Sequence, residues 1–206
     1  MKRSILSVVL IFLLSAVLMA AMPPVEITPV VGYHLAGGTT FNEGRLDIAD
    51  SFTYGIFFSL VDLPGGTSVE LSYTRADSTL TFTASPSYPA YSDASFGIAS
   101  NYILIGVNKE FLENRVRLFV GSDIGAAWFD SKDSSVKDAW FFSMGLKGGM
   151  KFYLNDRIGF RLQGRFLLPM DFSNGVFWGI GTGGLSVGGT TIVYQGDFSA
   201  GLIIRL

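Results

Sequence analysis

The chain has 206 residues, of which 49% are hydrophobic and only 16% are charged; its formal net charge is −2 and it contains no cysteine. This length suits one domain. The lack of cysteine excludes disulfides, thiolate metal sites and a lipid-modified cysteine, and the slightly acidic balance argues against a nucleic-acid partner, which would require a basic surface.

The first 21 residues have the features of a secretory signal peptide. Two basic residues precede an apolar run over residues 5–18, and the small residues Ala20 and Ala21 follow. The run is shorter than the roughly 20 apolar residues that a membrane-spanning helix needs. We therefore expect cleavage after Ala20 or Ala21 and a mature domain of residues 22–206. An uncleaved anchor is the alternative.

The mature sequence alternates large apolar residues with small or polar ones. This period of two predicts eight strands, near residues 26–35, 51–60, 68–74, 96–110, 117–128, 140–154, 158–168 and 197–206. Short turns are expected at 62–66, 111–114 and 155–156, and longer loops at 36–50, 84–94, 131–138 and 169–190. Short turns at one end and long loops at the other are typical of outer-membrane barrels.

Charged residues in these segments share a face with glycine, and the opposite face is apolar. Lys147 and Lys151 alternate with large apolar residues, and so do Arg161 and Arg165. A soluble sandwich would bury the apolar face, whereas a barrel in lipid turns it outward. The pattern predicts an all-β fold, a closed antiparallel transmembrane β-barrel of about eight strands with up-and-down topology, because an open sheet edge in lipid would leave backbone groups unpaired.

Two points stay open at this stage. Segment 96–110 is apolar on both faces, and we favour Ile103, Ile105 and Val107 as its outward residues. A soluble, lipocalin-like barrel in the periplasm fits the same parity with the apolar face inside and Arg161 and Arg165 in water. Aromatic residues at both ends of several strands favour the membrane alternative.

The alternation, the short turns and the apolar last segment, with Phe198, Leu202, Ile204 and Leu206, resemble the eight-stranded outer-membrane barrel family of OmpA and OmpX type. The resemblance covers essentially the whole mature chain. It implies a multi-pass protein of the bacterial outer membrane, in contact with membrane lipid and lipopolysaccharide, inserted by the barrel-assembly machinery. Family members usually end in phenylalanine, whereas Leu206 is last here. No peptidoglycan-binding domain is expected, so the anchoring role of longer relatives is not implied.

The inward parity collects charges of both signs. An eight-stranded barrel is just wide enough for side chains to fill it, so these groups should meet as an ionic, hydrogen-bonded core. A narrow gated ion path is the alternative. The predicted core consists of Glu26, Glu70, Asp123, Lys147, Lys151, Arg161, Arg165, Asp197 and Arg205.

Catalytic and metal sites have little support. His34 is the only histidine, and it resembles the rim histidine of outer-membrane enzymes that edit lipid A, with Ser51 or Asp50 as possible companions. A satisfied interior histidine is the alternative. Weak calcium binding by the loop that holds Asp130, Asp133 and Asp138 competes with a solvated charged loop. We expect no enzyme activity and no cofactor.

The long loop before the last strand offers a candidate recognition surface, formed by Phe172, Phe177 and Trp178. The alternative is a rim that packs on itself or touches lipopolysaccharide. The sequence thus predicts a non-enzymatic outer-membrane barrel that contributes to envelope structure or to surface interaction through its extracellular loops. A narrow channel or a binder of small hydrophobic molecules is the second hypothesis, and a lipid A-modifying enzyme is the third.

Overall fold

The computed structural model describes residues 23–40, 42–111, 115–132, 138–170 and 195–206. The predicted signal peptide lies outside them. The described residues form ten strands: β1 (Val25–Leu35), β2 (Gly38–Thr40), β3 (Gly44–Ile48), β4 (Ser51–Leu63), β5 (Thr67–Ala84), β6 (Ala94–Phe111), β7 (Val116–Ser131), β8 (Ala139–Tyr153), β9 (Ile158–Met170) and β10 (Gln195–Arg205). In these ranges no helix is long and apolar enough to cross a membrane.

Eight of these strands close into a barrel. The antiparallel order runs β5, β4, β1, β10, β9, β8, β7, β6, and β6 pairs again with β5. The first and last strands form a seam in which Glu26 is opposite Arg205. The structure therefore confirms the predicted all-β, closed barrel of eight strands, in which neighbouring strands satisfy the backbone groups that an open edge would leave unpaired.

The outward face of the barrel is apolar and its inward face is largely polar. Leu146 and Phe160, which a soluble barrel would need inside, are 62% and 49% exposed. Ile103, Ile105 and Val107 also point outward, as favoured, and Tyr102 and Leu104 between them are buried. The strand phases predicted from the alternation are thus confirmed, and the inverted phase of the soluble alternative is wrong.

The first predicted long loop is partly wrong, because residues 36–50 contain β2 and β3. These two strands pair with each other, and β3 continues along the end of β5, with Ile48 opposite Leu80. Strand β5 itself runs ten residues beyond the predicted end at 74. The barrel wall is therefore extended on this side by a sheet of β2, β3 and the adjoining ends of β5 and β6, here called the extension.

The two ends of the barrel differ in their connections. The turn of residues 64–66 between β4 and β5 is tight, with positive φ at Gly65 and Gly66, a conformation that glycine adopts without strain. Asp62, near the end of β4, also has positive φ and lies at an irregularity in the pairing with β5. Residues 154–157 form the other described short connection at this end, here called the turn end. The extension lies at the opposite end, here called the loop end.

Candidate functional site: the barrel lumen

The middle of the lumen holds a central charge cluster made of Glu70, Asp123, Lys147 and Arg161. Lys147 Nζ donates to Glu70 Oε1 at 2.7 Å and to Asp123 Oδ1 at 2.6 Å. Arg161 donates through Nη2 to Glu70 Oε1 at 3.1 Å and through Nη1 to Glu70 Oε2. Glu70 on β5 is thereby tied to β8 and β9 across the barrel.

Aromatic rings hold the Arg161 guanidinium in this position. Its Cζ atom lies 4.9 Å from the ring centroid of Phe57 and 4.6 Å from that of Phe119, and its Nε donates to Gln163 Oε1 at 2.8 Å. Rings beside a guanidinium supply cation–π attraction and exclude water. Arg161 is therefore packed as well as paired.

A second group, the lower charge cluster, lies between the centre and the turn end. Lys151 Nζ donates to Glu26 Oε2 at 2.9 Å and to Glu110 Oε1 at 2.7 Å. Tyr153 Oη donates to Glu26 Oε1 at 2.6 Å, and Arg117 Nη1 donates to Glu110 Oε2 at 3.2 Å. These contacts join β1, β6, β7 and β8.

The lower charge cluster ends at Asp62, beyond the apolar outer surface. Arg117 Nη1 donates to Asp62 Oδ1 at 2.7 Å, and Arg205 Nη2 donates to Asp62 Oδ2. Partial burial raises the pKa of Asp62, but the hydrogen bonds and charges of the two arginines outweigh it and hold this pKa below its usual value. Asp62 thus fastens the last strand to the end of β4.

Towards the loop end, Arg165 and Asp197 form an upper charge pair. Arg165 Nε lies 2.9 Å from Asp197 Oδ2, and its Nη2 donates to Thr74 Oγ1 at 2.9 Å. His34 Nε2 lies 3.2 Å from Gln195 Oε1, which also accepts a hydrogen bond from Tyr102. His34 is thus a buried residue with an amide partner.

The structure places Ser51 opposite His34 in the pairing of β1 with β4. Asp50 Oδ1 accepts a hydrogen bond from the backbone of Ala36 at 2.9 Å, and Ser51 Oγ is buried without a hydrogen-bond partner. No hydrogen bond among the described residues joins His34 to Ser51 or to Asp50. This arrangement gives no support to the acid–base chemistry that a lipid-editing site would need.

The lumen charges balance within each group. The central charge cluster has two carboxylates and two cations, and the upper charge pair has one of each. The lower charge cluster has three of each, because Glu26, Glu110 and Asp62 face Lys151, Arg117 and Arg205. The structure therefore brings the nine residues of the predicted core into three neutral groups along the lumen, with Arg205 at the turn end.

Above the upper charge pair the inward side chains become apolar. These side chains, here called the mouth cluster, pack together at the loop end, and some of them come from the extension. The mouth cluster consists of Leu46, Ile48, Leu80, Phe82, Ile98, Tyr102, Leu104, Ala127, Phe129, Phe141 and Leu167. Tyr102 joins the two regions, because its ring lies in the mouth cluster and its hydroxyl reaches Gln195. Paired charges and buried apolar side chains thus follow one another through the barrel.

The sequence analysis missed Glu110 and Asp62 as members of the lower charge cluster. Glu110 has the parity of Asn108 and Gly106, so the outward choice of Ile105 and Val107 already placed it inside. Asp62 has positive φ at an irregularity near the end of β4, where alternation gives no direction. Only the closed topology brings Asp62 to Arg205.

The remaining predicted sites lie partly outside the residues that the structure describes. Asp138 accepts hydrogen bonds from Ser131 N and Trp128 Nε1, each at 3.3 Å. Asp133 lies outside the described residues, within which no group of three or more acidic or histidine side chains could hold a metal ion. The loop candidates Phe172, Phe177 and Trp178 also lie outside the described residues.

Comparison with known proteins identifies the fold. No protein-family model and no curated protein matches the sequence. The chain is similar to the solved structure of Neisserial surface protein A, with a TM-score of 0.55 and 15% identity over 87% of this chain and 97% of that one. It is also similar to the outer membrane protein OprG of Pseudomonas aeruginosa, with a TM-score of 0.60 and 11% identity over 90% and 97%.

The fold is that of the eight-stranded outer-membrane barrels. At identities of 15% and 11% the likeness concerns architecture alone. The function of this barrel therefore depends on its own side chains.

Proposed function

We propose that this protein is a non-enzymatic β-barrel of the bacterial outer membrane with a closed lumen. Its lumen holds the barrel together, and its loop end serves envelope structure or surface interaction. Lipid and lipopolysaccharide surround the apolar outer face, and the barrel-assembly machinery inserts the chain. The signal peptide of residues 1–21 belongs to the same proposal, because an outer-membrane protein must first be exported.

The filling of the lumen is the observation that carries the proposal. Lys147, Lys151, Arg161 and Arg165 each have a carboxylate partner, and each is at most 5% exposed. A conducting path needs polar groups that face water, whereas these groups face each other between packed rings. The mouth cluster adds an apolar layer, which opposes the passage of hydrated ions.

Two measurements test the proposal together. After expression in a Gram-negative host, we expect the protein in the outer-membrane fraction, with different gel mobilities for boiled and unboiled samples, because a closed barrel resists detergent. In planar bilayers the purified barrel should give no discrete current steps, with a porin of known conductance as the positive control. Recovery in the soluble periplasmic fraction would overturn the membrane location, and reproducible steps would overturn the closed lumen.

The mouth cluster favours one second candidate, a binder of small hydrophobic molecules. Three buried polar residues on strands that contribute to this cluster or bond to it have an atom with no hydrogen-bond partner among the described residues: Ser100 Oγ, Ser143 Oγ and Gln195 Nε2. Buried polar atoms are normally hydrogen-bonded, either to the protein or to a bound molecule such as water. Saturable binding of an apolar fluorescent dye to the detergent-purified barrel, lost in Leu80→Asp and kept in Thr81→Asp, would support this candidate. Equal binding by all three would exclude the mouth cluster as its site.

A further inference from the structure

We propose that a groove on the outer wall of the barrel binds one glycerophospholipid of the inner leaflet, with an acyl chain along the groove and the phosphate at Lys109. This inference rests on the proposed outer-membrane location and deepens it, because it names a lipid that the wall holds at a defined site. The groove, here called the wall groove, follows one row of paired outward residues: Phe198, Gly164, Gly148, Val120 and Lys109.

The wall groove descends obliquely from the loop end towards the turn end. Phe198 lies near the start of β10 at the loop end, whereas Lys109 lies two residues before the end of β6 at the turn end. Strands of a barrel are tilted and staggered, so a row of paired residues runs obliquely down the wall. Neighbouring strands lie about 4.8 Å apart, so the steps from Phe198 to Lys109 cover about 19 Å. An acyl chain of one leaflet spans about half of a hydrocarbon core of about 30 Å, and the wall groove is long enough to hold it.

Two adjoining depressions make up the wall groove. The larger one has a volume of about 820 Å³, and the outward side chains that line it are apolar or aromatic. The smaller one, of about 500 Å³, continues at Val120, reaches Lys109 and includes Thr67 and Ser122. The surface therefore changes from apolar to polar and positively charged towards the turn end, which matches the acyl chain and the headgroup of a phospholipid. The neighbouring row of the larger depression consists of Leu162, Met150 and Leu118.

Two paired glycines, Gly148 and Gly164, form the floor of the wall groove between large apolar residues of β8 and β9. Neither has a positive φ. A Cβ at Gly148 would have its nearest atom at 3.6 Å, and a Cβ at Gly164 would first meet the ring of Phe198, at 3.2 Å. At inward Gly55, by contrast, a Cβ would meet a backbone oxygen at 2.1 Å. The packing of the wall therefore does not require glycine at position 148. Glycine weakens a strand, and it often marks a place where a ligand or another backbone approaches closely.

Positive charge surrounds the turn end of the wall groove. Lys109 Nζ donates to the backbone oxygen of Gly65, which orders this side chain and leaves two of its three N–H donors for a phosphate. Outside the lower charge cluster, the described residues of the turn end include three cations, Lys109, Arg115 and Arg157. Asp156 is the one carboxylate side chain that these residues add. Short turns face the periplasm in outer-membrane barrels, so these cations are complementary to the phosphates of the inner leaflet.

Native mass spectrometry of the detergent-purified barrel tests the wall groove, with palmitoyl-oleoyl phosphatidylglycerol as the probe. Gly148→Leu fills the floor of the groove, and Lys109→Gln removes its charge. The matched controls are Ala126→Leu, which enlarges an outward side chain outside the groove, and Arg45→Gln, which removes an exposed cation of the extension. Each protein is first checked for outer-membrane recovery and heat-modifiable migration.

We expect the parent protein to bind one phospholipid saturably, and Gly148→Leu and Lys109→Gln each to weaken the apparent Kd at least fivefold, while both controls bind like the parent. Equal binding by all five proteins, or no binding, in barrels recovered from the outer membrane would overturn the wall groove and leave the membrane location intact. A barrel dimer that disappears in Gly148→Leu would also overturn it, because a second copy would then be the occupant. Tighter binding of lipid A with the same dependence on Gly148 and Lys109 would overturn the assignment to the inner leaflet. Recovery of the parent in the soluble periplasmic fraction would instead mean that the proposed location had failed.

Discussion

Removing the Glu70 carboxylate with Glu70→Leu should destabilise the barrel strongly. Lys147 would keep its bond to Asp123, but Arg161 would lose both bonds to a carboxylate while buried between Phe57 and Phe119. Breaking a buried pair by removing one partner costs about 3–5 kcal/mol, because it leaves an uncompensated charge. We expect the free energy of unfolding to fall by that amount, as measured by urea titration in detergent micelles.

A double variant separates the charge effect from packing. In Glu70→Leu with Arg161→Leu, the central charge cluster keeps one carboxylate and one cation and stays neutral, so this variant should be more stable than Glu70→Leu alone. Asp47→Asn, which removes an exposed ion pair with Arg45, is the surface control and should leave the midpoint unchanged. An unchanged midpoint in Glu70→Leu would refute the reasoning. So would a double variant whose loss of stability equals the sum of the losses in Glu70→Leu and Arg161→Leu.

Three further predictions follow from the same geometry. A Cβ added at inward Gly149 would meet a backbone carbonyl oxygen of the next strand at 2.2 Å, whereas a Cβ at outward Gly148 would have its nearest atom at 3.6 Å. Gly149→Ala should therefore lower the free energy of unfolding by about 1–3 kcal/mol, and Gly148→Ala should leave it unchanged. The pKa of Asp62 is held below its usual value, so its contribution to the free energy of unfolding is fully present above the ordinary pKa of a carboxyl group and is lost as the pH falls through the lowered pKa. The urea midpoints of Asp62→Asn and of the parent protein should therefore differ at pH 7 and converge in acid. Ile105→Arg, on the apolar outer face, should cost about 2–4 kcal/mol in lipid vesicles, whereas Thr81→Arg, exposed on the extension, should leave the midpoint unchanged.

The architecture could be predicted because a barrel with an apolar outer face and a polar lumen gives each strand an alternation with a period of two. Val31, Phe58, Leu71 and Phe160 have no other stable direction than outward, and the closed sheet then fixes the inward parity of the charges between them. For this reason Lys147 and Arg161 could be assigned to the lumen from the sequence.

The pairing of those charges could not be predicted in the same way. Lys147 meets Glu70 across 77 positions of sequence and Lys151 meets Glu26 across 125, and such contacts depend on the tilt and stagger of the barrel, which alternation does not encode. Asp62 shows the same limit, because it has positive φ at an irregularity near the end of β4 and meets Arg205 across 143 positions of sequence.

The extension was missed for a related reason. Strand β5 keeps its alternation from Thr67 to Ala84, but the face that carries the apolar residues changes after Ala76. A search for apolar residues outward finds Val69, Leu71 and Tyr73 and then stops, although Leu80 and Phe82 continue the alternation on the other face. Alternation indicates a strand, and the face that carries the apolar residues indicates its surroundings. A strand that leaves the membrane therefore keeps its period of two, but its apolar residues change from the outward to the inward face. In an outer-membrane barrel such an exchange of faces is expected where a strand passes from lipid into water, and on β5 it falls next to Ala76.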